Sequence, residues 1–100
     1  MNSNSKQHIH LLGICGTGMA ALAGILKEQG YRVTGSDEHV YPPMSTLLAG
    51  LGIPLKNGYR PENLTPTPDL VVVGNVIRRE NPEAQAVLAQ DLPCSHCPRP

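Results

Sequence analysis

Hydrophobic positions change period several times along the chain, and these changes predict strands and helices in alternation. Residues 8–12, 31–37 and 69–76 form runs of strand length, and the last of them, DLVVVGNV, is apolar enough for a parallel strand buried on both faces. Between the first two runs, apolar side chains recur at the helical spacing i, i+3, i+4, i+7. These side chains are Met19, Leu22, Ala23 and Leu26.

Glycine and proline predict where these elements end. Gly30 is suited to follow the first helix, and Gly52 to stop a second, shorter helix that carries Leu47, Leu48 and Leu51. Pro54 cannot donate to a central ladder, so residues 53–58 are expected to form an edge strand. The sequence Asn-Pro-Glu at 81–83 is a favourable helix start, and a last strand is expected to open near 92–93.

The predicted order is therefore β-α-β-α-β-β-α, with a possible further strand at the end. Strands that alternate with helices favour an α/β fold, here a Rossmann-like open parallel sheet of about four to five strands with helices on both faces. In such a sheet a ligand binds at the carboxyl ends of the strands. The loops 13–18, 36–46 and 74–81 all open there.

The stretch GICGTGM, which begins at residue 13, is typical of a phosphate-binding loop at a strand–helix junction. Gly13, Cys15 and Gly18 occupy the three glycine positions of G-x-G-x-x-G, and Gly16 is an additional glycine. The stretch lacks the Lys-Ser/Thr of an ATP-hydrolysing P-loop. Asp37 follows 19 residues after Gly18, where an acid can accept from a ribose hydroxyl. A nucleotide-diphosphate site is the favoured interpretation, and a purely structural turn is the alternative.

Composition and charge limit the classes of binding partner that we expect. The chain has 100 residues, no Trp or Phe, zero formal net charge and 16% charged residues, so we expect one domain with an aliphatic core and no nucleic-acid partner. The polar N-terminus has no signal-peptide core, and no apolar run approaches the ~20 residues of a membrane span. We therefore expect a cytoplasmic protein without a membrane partner. Three cysteines, an odd number, argue against a disulfide framework.

With these motifs in place, the sequence resembles the N-terminal domain of the Mur ligase family, which makes or recycles peptidoglycan precursors. The loop GICGTGM, GSD at 35–37 and NGYRPENL at 57–64 carry the resemblance. It implies that the loop holds the diphosphate of a UDP-N-acetylmuramoyl substrate. The departure of Cys15 from glycine counts against an NAD(H)-binding regulatory module, which is the alternative from another class.

Two segments resemble one branch of the family more specifically. SDEHVYPPMSTLL at 36–48 and VVVGNVIRRENPE at 71–83 are similar to the branch that joins UDP-N-acetylmuramate to L-alanyl-γ-D-glutamyl-meso-diaminopimelate. The branch that adds L-alanine is the alternative within the family. The resemblance implies ATP and Mg²⁺ as cofactors of the whole enzyme, held with the tripeptide by domains outside this chain. We expect this chain to bind the UDP moiety and to catalyse nothing by itself, with no cofactor and no metal of its own.

The resemblance also implies a set of substrate-binding residues, and several of them have a structural alternative. Cys15 is either a reactive thiol or a small side chain in place of glycine, Asp37 either contacts the ribose or caps the next turn, and Arg78 either contacts substrate or is solvated. His8 and His10 are expected to be structural or edge residues. The substrate-binding set is Gly13, Cys15, Gly16, Thr17, Gly18, Met19, Ser36, Asp37, Tyr41, Pro43, Ser45, Thr46, Asn75 and Arg78.

Domain boundaries follow from the same resemblance. Residues 1–7 are expected to be a disordered lead-in, and residues 8–93 to form the UDP-sugar-binding domain. Residues 94–100, with the sequence CSHCPRP, depart from the family pattern and are assigned to an atypical tail. Cys94, His96 and Cys97 offer at most three metal ligands, so no metal site is expected there.

Overall fold

The computed structural model describes residues 7–95, apart from residues 66, 76 and 79 and the side chain of Thr17. Residues 1–6 of the predicted lead-in and residues 96–100 of the predicted tail lie outside the described residues. The elements in chain order are β1 (His8–Leu12), α1 (Thr17–Glu28), β2 (Arg32–Asp37), α2 (Met44–Gly50), β3 (Leu55–Asn57), a 3₁₀ turn (Pro61–Leu64), β4 (Leu70–Val73), α3 (Pro82–Ala89) and β5 (Cys94–Ser95).

The strands form one parallel sheet in the order β3-β2-β1-β4-β5, which confirms the predicted α/β fold. β3 lies at an edge, as Pro54 predicted. β1 is the central strand, and the chain passes from one side of it to the other between β3 and β4. This reversal of strand order creates a crevice at the carboxyl ends of β1 and β4.

The two faces of the sheet bury two separate aliphatic clusters. The side chains of Ile9, Leu11 and Val33 face α1 and α2, where they pack with Ala23 and Leu48. The opposite face carries Leu12, Val71 and Val73, which pack with Ala84 and Val87 of α3. Consecutive residues of a strand point to opposite faces, so β1 and β4 each contribute to both clusters.

Several boundaries differ from the sequence prediction. α1 begins at Thr17 rather than at Met19, because Gly16 already has the extended conformation of an N-cap. β4 ends at Val73 rather than at residue 76, since the Ile77 amide turns back to the Gly74 carbonyl at 3.1 Å. Cys94–Ser95 form β5 against β4, so the sheet extends two residues into the stretch assigned to the tail.

The structure decides between the alternatives for His10 and adds a feature of the cysteines. His10 is fully buried in the central strand, so its structural role is as expected but it is not an edge residue. Cys15 is a free thiol, whereas Cys94 is disulfide-bonded, which the odd cysteine count did not predict.

Candidate functional site

A cleft of about 680 Å³ opens at the carboxyl ends of β1, β2 and β4. Three segments and Tyr59 line it, and the segments contain residues of the three loops that the sequence placed at this edge of the sheet. The first segment is the glycine-rich loop that connects β1 to α1. The second follows β2, and the third connects β4 to α3.

The N-terminus of α1 lies at the end of the glycine-rich loop and has no internal cap. Gly16 is the N-cap, no side chain hydrogen-bonds to it, and the first turn contains no acidic residue. The first amides of a helix have no carbonyl partner within the helix, and the helix dipole makes this end electropositive. The amides of Thr17, Gly18 and Met19 therefore form a ready site for an anion.

The loop itself is held by the end of β2. The Gly13 and Ile14 amides donate to the Ser36 carbonyl at 2.8 and 3.2 Å. The Cys15 amide donates to Oδ2 of Asp37 at 3.0 Å, and the His39 amide donates to Oδ1 at 2.8 Å. Asp37 thus fixes the loop conformation and also lines the cleft. A carboxylate accepts about four hydrogen bonds, so Asp37 retains acceptor capacity for a ligand.

Packing beneath the loop depends on Gly35. The side chain of Ile14 is fully buried and lies against this residue of β2. A Cβ atom on Gly35 would lie 2.4 Å from Cδ1 and 2.7 Å from Cβ of Ile14. Only glycine therefore allows Ile14 to anchor the loop at this position.

Cys15 lines the cleft in a partly buried position. Burial raises the pKa of this thiol, and the nearby negative charge of Asp37 raises it further. Both effects disfavour the thiolate and oppose the acidifying influence of the helix N-terminus. The structure therefore favours the small unreactive side chain over the reactive thiol.

The second wall of the cleft is largely apolar. Tyr41 is 59% exposed, and Pro42, Pro43 and Met44 continue the surface from it. Tyr59, which follows β3, completes this wall. Burial and the negative charge of Asp37 raise the pKa of the Tyr59 phenol, so the hydroxyl stays protonated and can donate to a ligand.

The third wall is formed by the start of α3 and the residues before it. Ile77, Arg78 and Glu80 line the cleft together with Asn81 and Pro82. The Asn81 side chain caps α3 by accepting from the amides of Glu83 and Ala84 at 2.9 and 3.1 Å. This helix end, unlike that of α1, is satisfied by the protein's own side chain.

Seven predicted site residues line the cleft together: Gly13, Cys15, Gly16, Asp37, Tyr41, Pro43 and Arg78. Of the other predicted residues, Gly18, Met19, Ser36, Ser45, Thr46 and Asn75 do not line it, and the side chain of Thr17 lies outside the described structure. Of these, Ser36 is fully buried and donates to Oε2 of Glu83 at 3.0 Å, so its side chain points away from the cleft. The sequence did not single out Glu38, His39, Tyr59, Ile77, Glu80, Asn81 and Pro82 as site residues, although all of them line the cleft.

Over residues 7–95, apart from the three that are not described, no group of three or more His, Cys, Asp or Glu side chains could hold a metal ion. None of the helices within that range is long and apolar enough to cross a membrane.

Comparison with known proteins gives consistent results. The family profile described as "Mur ligase family, catalytic domain" matches residues 8–99. The chain is 54% identical over 85 residues to the "UDP-N-acetylmuramate--L-alanyl-gamma-D-glutamyl-meso-2,6-diaminoheptandioate ligase" of Escherichia coli (strain K12), covering 85% of this chain and 19% of that protein. It is 44% identical over 85 residues to the "UDP-N-acetylmuramate--L-alanine ligase" of Psychrobacter sp. (strain PRwf-1), covering 85% of this chain and 17% of that protein.

A solved structure agrees with these relatives. The crystal structure of a murein peptide ligase from Psychrobacter arcticus 273-4 superposes with a TM-score of 0.85 at 46% identity, covering 89% of this chain and 18% of that one. The chain therefore spans less than one fifth of the length of each of these three proteins.

Proposed function

This chain belongs to the Mur ligase family, and we propose that it forms the UDP-binding part of a ligase that joins UDP-N-acetylmuramate to L-alanyl-γ-D-glutamyl-meso-diaminopimelate in peptidoglycan recycling. The observation that carries the proposal is the uncapped N-terminus of α1 beside a cleft of about 680 Å³. Unpaired helix amides at the mouth of such a cleft suit a diphosphate.

Identity favours the tripeptide-joining branch over the alanine-adding branch. The relative named for the tripeptide substrate is 54% identical to this chain, against 44% for the relative named for L-alanine. The segments 36–48 and 71–83, which resemble the first branch, contribute residues to two of the three cleft walls. Substrate binding and branch identity therefore rest on the same loops.

In the bound state, the diphosphate lies against the glycine-rich loop and the first turn of α1. The backbone amides of that turn donate hydrogen bonds to the phosphate oxygens. Asp37 accepts from a ribose hydroxyl, because its carboxylate still has acceptor capacity. Tyr41 and Pro43 cover the base, and Arg78 offsets the negative charge of the phosphates. Ser36 supports this arrangement through its carbonyl, which accepts from the Gly13 and Ile14 amides.

The remaining chemistry belongs to the whole enzyme. ATP with Mg²⁺ supplies the phosphoryl group that activates the muramate carboxylate for attack by the tripeptide amine. The residues of this chain do not fit that group, because its glycine-rich loop has no lysine to contact a triphosphate. This stretch accordingly binds and orients the UDP-sugar, in the cytoplasm, where nucleotide-linked precursors are made.

Calorimetry on the purified chain tests the proposal with UDP-N-acetylmuramate, UDP, NAD⁺ and NADH. We expect heat of binding with both uridine ligands and none with the nicotinamide cofactors. Gly16→Val should abolish uridine binding while the circular dichroism spectrum is retained, because the branched side chain covers the amides of α1. NADH binding without any response to uridine ligands would refute the proposal.

A further inference from the structure

A buried carboxylate beneath the cleft is left unused by the proposed function. Glu83 lies in the first turn of α3 and has no exposed surface. Its Oε2 lies 2.5 Å from Nε2 of His10 and 3.0 Å from Oγ of Ser36. Its Oε1 accepts from Nδ2 of Asn63 at 2.7 Å and from the Arg60 amide at 3.3 Å. One side chain thus connects α3 to β1, β2 and the 3₁₀ turn.

Both oxygens of Glu83 accept hydrogen bonds. The Asn63 amide group and the Arg60 amide donate to Oε1, and the Ser36 hydroxyl donates to Oε2, beside Nε2 of His10. Among the described residues, no buried side-chain nitrogen or oxygen atom lacks a partner.

The hydrogen bonds continue from His10 across the sheet. Nδ1 of His10 lies 2.7 Å from Oγ1 of Thr34, which lies 2.7 Å from Nε2 of His8. His8 and His10 alternate in β1 and therefore share a face, opposite Thr34 of β2 in the sheet register. The carboxylate is thus connected to β1, the central strand of the sheet.

On the other side of Glu83, its partners hold the segment that carries Tyr59. The Arg60 amide donates to Glu83 directly. Nδ2 of Asn63 donates both to Glu83 and, at 2.8 Å, to the Gly58 carbonyl. The residues on both sides of Tyr59 are therefore linked to the same carboxylate, and Tyr59 itself lines the cleft.

We propose that Glu83 is a positioning residue for nucleotide binding, which holds Tyr59 at the cleft wall by linking the 58–63 segment to β1. This inference rests on the proposed function, since the ligand that Tyr59 meets is the nucleotide. Glu83 and Asn63 do not line the cleft, and Glu83 has no exposed surface with which to touch a ligand. Any effect of these side chains on affinity must act through the residues that they hold.

The experiment measures UDP affinity by calorimetry and amide exchange at residues 58–60 by mass spectrometry, well below the unfolding temperature. Asn63→Ala removes the link to Gly58 while Glu83 keeps His10 and Ser36. We expect UDP binding to weaken by about tenfold or more and exchange at 58–60 to accelerate. Glu83→Ala should have the larger effect on both, and Asn63→Ala carries the test if that variant does not fold.

Two further variants separate positioning from stability. Val87→Ala removes a fully buried side chain of α3 outside the cleft, so it lowers stability without touching the link. UDP affinity in this control should match the wild type. Glu83→Gln is the conservative variant, because its oxygen can face Asn63 and Arg60 while His10 and Ser36 accept from its amide group. It should bind UDP within about threefold of the wild type.

The outcomes distinguish the two proposals. Equal UDP affinity in Asn63→Ala and Val87→Ala would overturn the positioning role and leave the proposed function intact. Failure of the wild-type chain to bind any uridine ligand would refute the proposed function, and the inference with it. Weaker binding in Asn63→Ala, with faster exchange at 58–60 and an unaffected Val87→Ala, would support both.

Discussion

The N-termini of α1 and α3 lie at the same cleft but are built in opposite ways. The first begins after Gly16, with no capping side chain and no acid in its first turn. The second begins after Asn81, whose side chain accepts from two helix amides, and it has Pro82 and Glu83 in its first turn. One helix end leaves its donors unpaired, whereas the other satisfies them within the protein.

The amides at the two helix N-termini therefore have different roles. At α3, the Asn81 side chain satisfies the helix amides, so substitution of Asn81 should reduce stability. At α1, the donors have no partner within the fold and are available to an anion, so substitution there should reduce ligand affinity. Four predictions test this separation, beginning with the largest expected effect.

Gly35→Ala should disturb the loop that precedes α1. The added Cβ would lie 2.4 Å from Cδ1 of Ile14, so the loop anchor must move. We expect a loss of about 1–3 kcal/mol in the free energy of unfolding, measured by urea denaturation, together with weaker UDP binding. Gly50→Ala is the matched control, because nothing lies within 4 Å of its Cβ position. Equal stability of both variants would show that Ile14 does not depend on Gly35.

Gly16→Asp gives α1 a side-chain N-cap of the kind that Asn81 provides for α3. An aspartate cap should change stability by only a few tenths of a kcal/mol, since glycine is already tolerated at this position. Its charge and side-chain oxygens compete with a diphosphate for the same amides, so UDP affinity should fall by about tenfold or more.

Gly16→Asn provides the uncharged control for that substitution. Asparagine caps as well as aspartate but adds no charge, so it should bind UDP more tightly than Gly16→Asp. Calorimetry on the three proteins gives both comparisons. Unchanged UDP affinity in Gly16→Asp would show that the ligand does not use the N-terminus of α1.

Asn81→Ala removes the cap of α3. The amides of Glu83 and Ala84 lose their acceptor, and the free energy of unfolding should fall by about 1 kcal/mol. Thermal melts followed by circular dichroism measure the change. Asn81→Ser should restore most of the lost stability, because serine caps about as well as asparagine. A melt of Asn81→Ala that matches the wild type would contradict the structural role of this cap.

The smallest effect concerns the thiol beside α1. A helix N-terminus lowers a cysteine pKa, but burial and Asp37 raise that of Cys15 above its usual value. The thiolate fraction is therefore lower than that of an ordinary cysteine until the pH exceeds the raised pKa. Alkylation of the Cys15 peptide by iodoacetamide, followed by mass spectrometry, should be slower at pH 8 than that of a model thiol. A rate faster than that of the model thiol would indicate that the helix end dominates.

Much of the fold was predictable from local pattern. The periodicity of hydrophobic residues and the glycines at element ends predict the four main strands and the three helices. Pro54 predicts the edge position of β3. The start of α1 was placed at Met19 because Thr17 and Gly18 carry no apolar signal, although backbone geometry already makes them helical. β5 has two residues, too few for a periodic signal.

The candidate site was predicted less completely, and Ser36 and Asp37 show why. Both belong to one motif, yet consecutive strand residues point to opposite faces. Asp37 faces the glycine-rich loop, whereas Ser36 faces Glu83 on the other side of the sheet. The role of the predicted residues in binding stays a prediction. Alternation of His8 and His10 opposite Thr34 is the signal that could have revealed the buried polar cluster.

The sequence by itself determined the alternation of strands and helices, the glycine-rich loop between β1 and α1, and the absence of a triphosphate-binding lysine. These are local properties, because they depend on residues within one or two turns of each other. Only the tertiary structure decided that Tyr59 joins the cleft and that Glu83 pairs with His10, 73 residues away in the chain. Such pairs depend on strand order and register, which long-range packing sets and which no local pattern encodes.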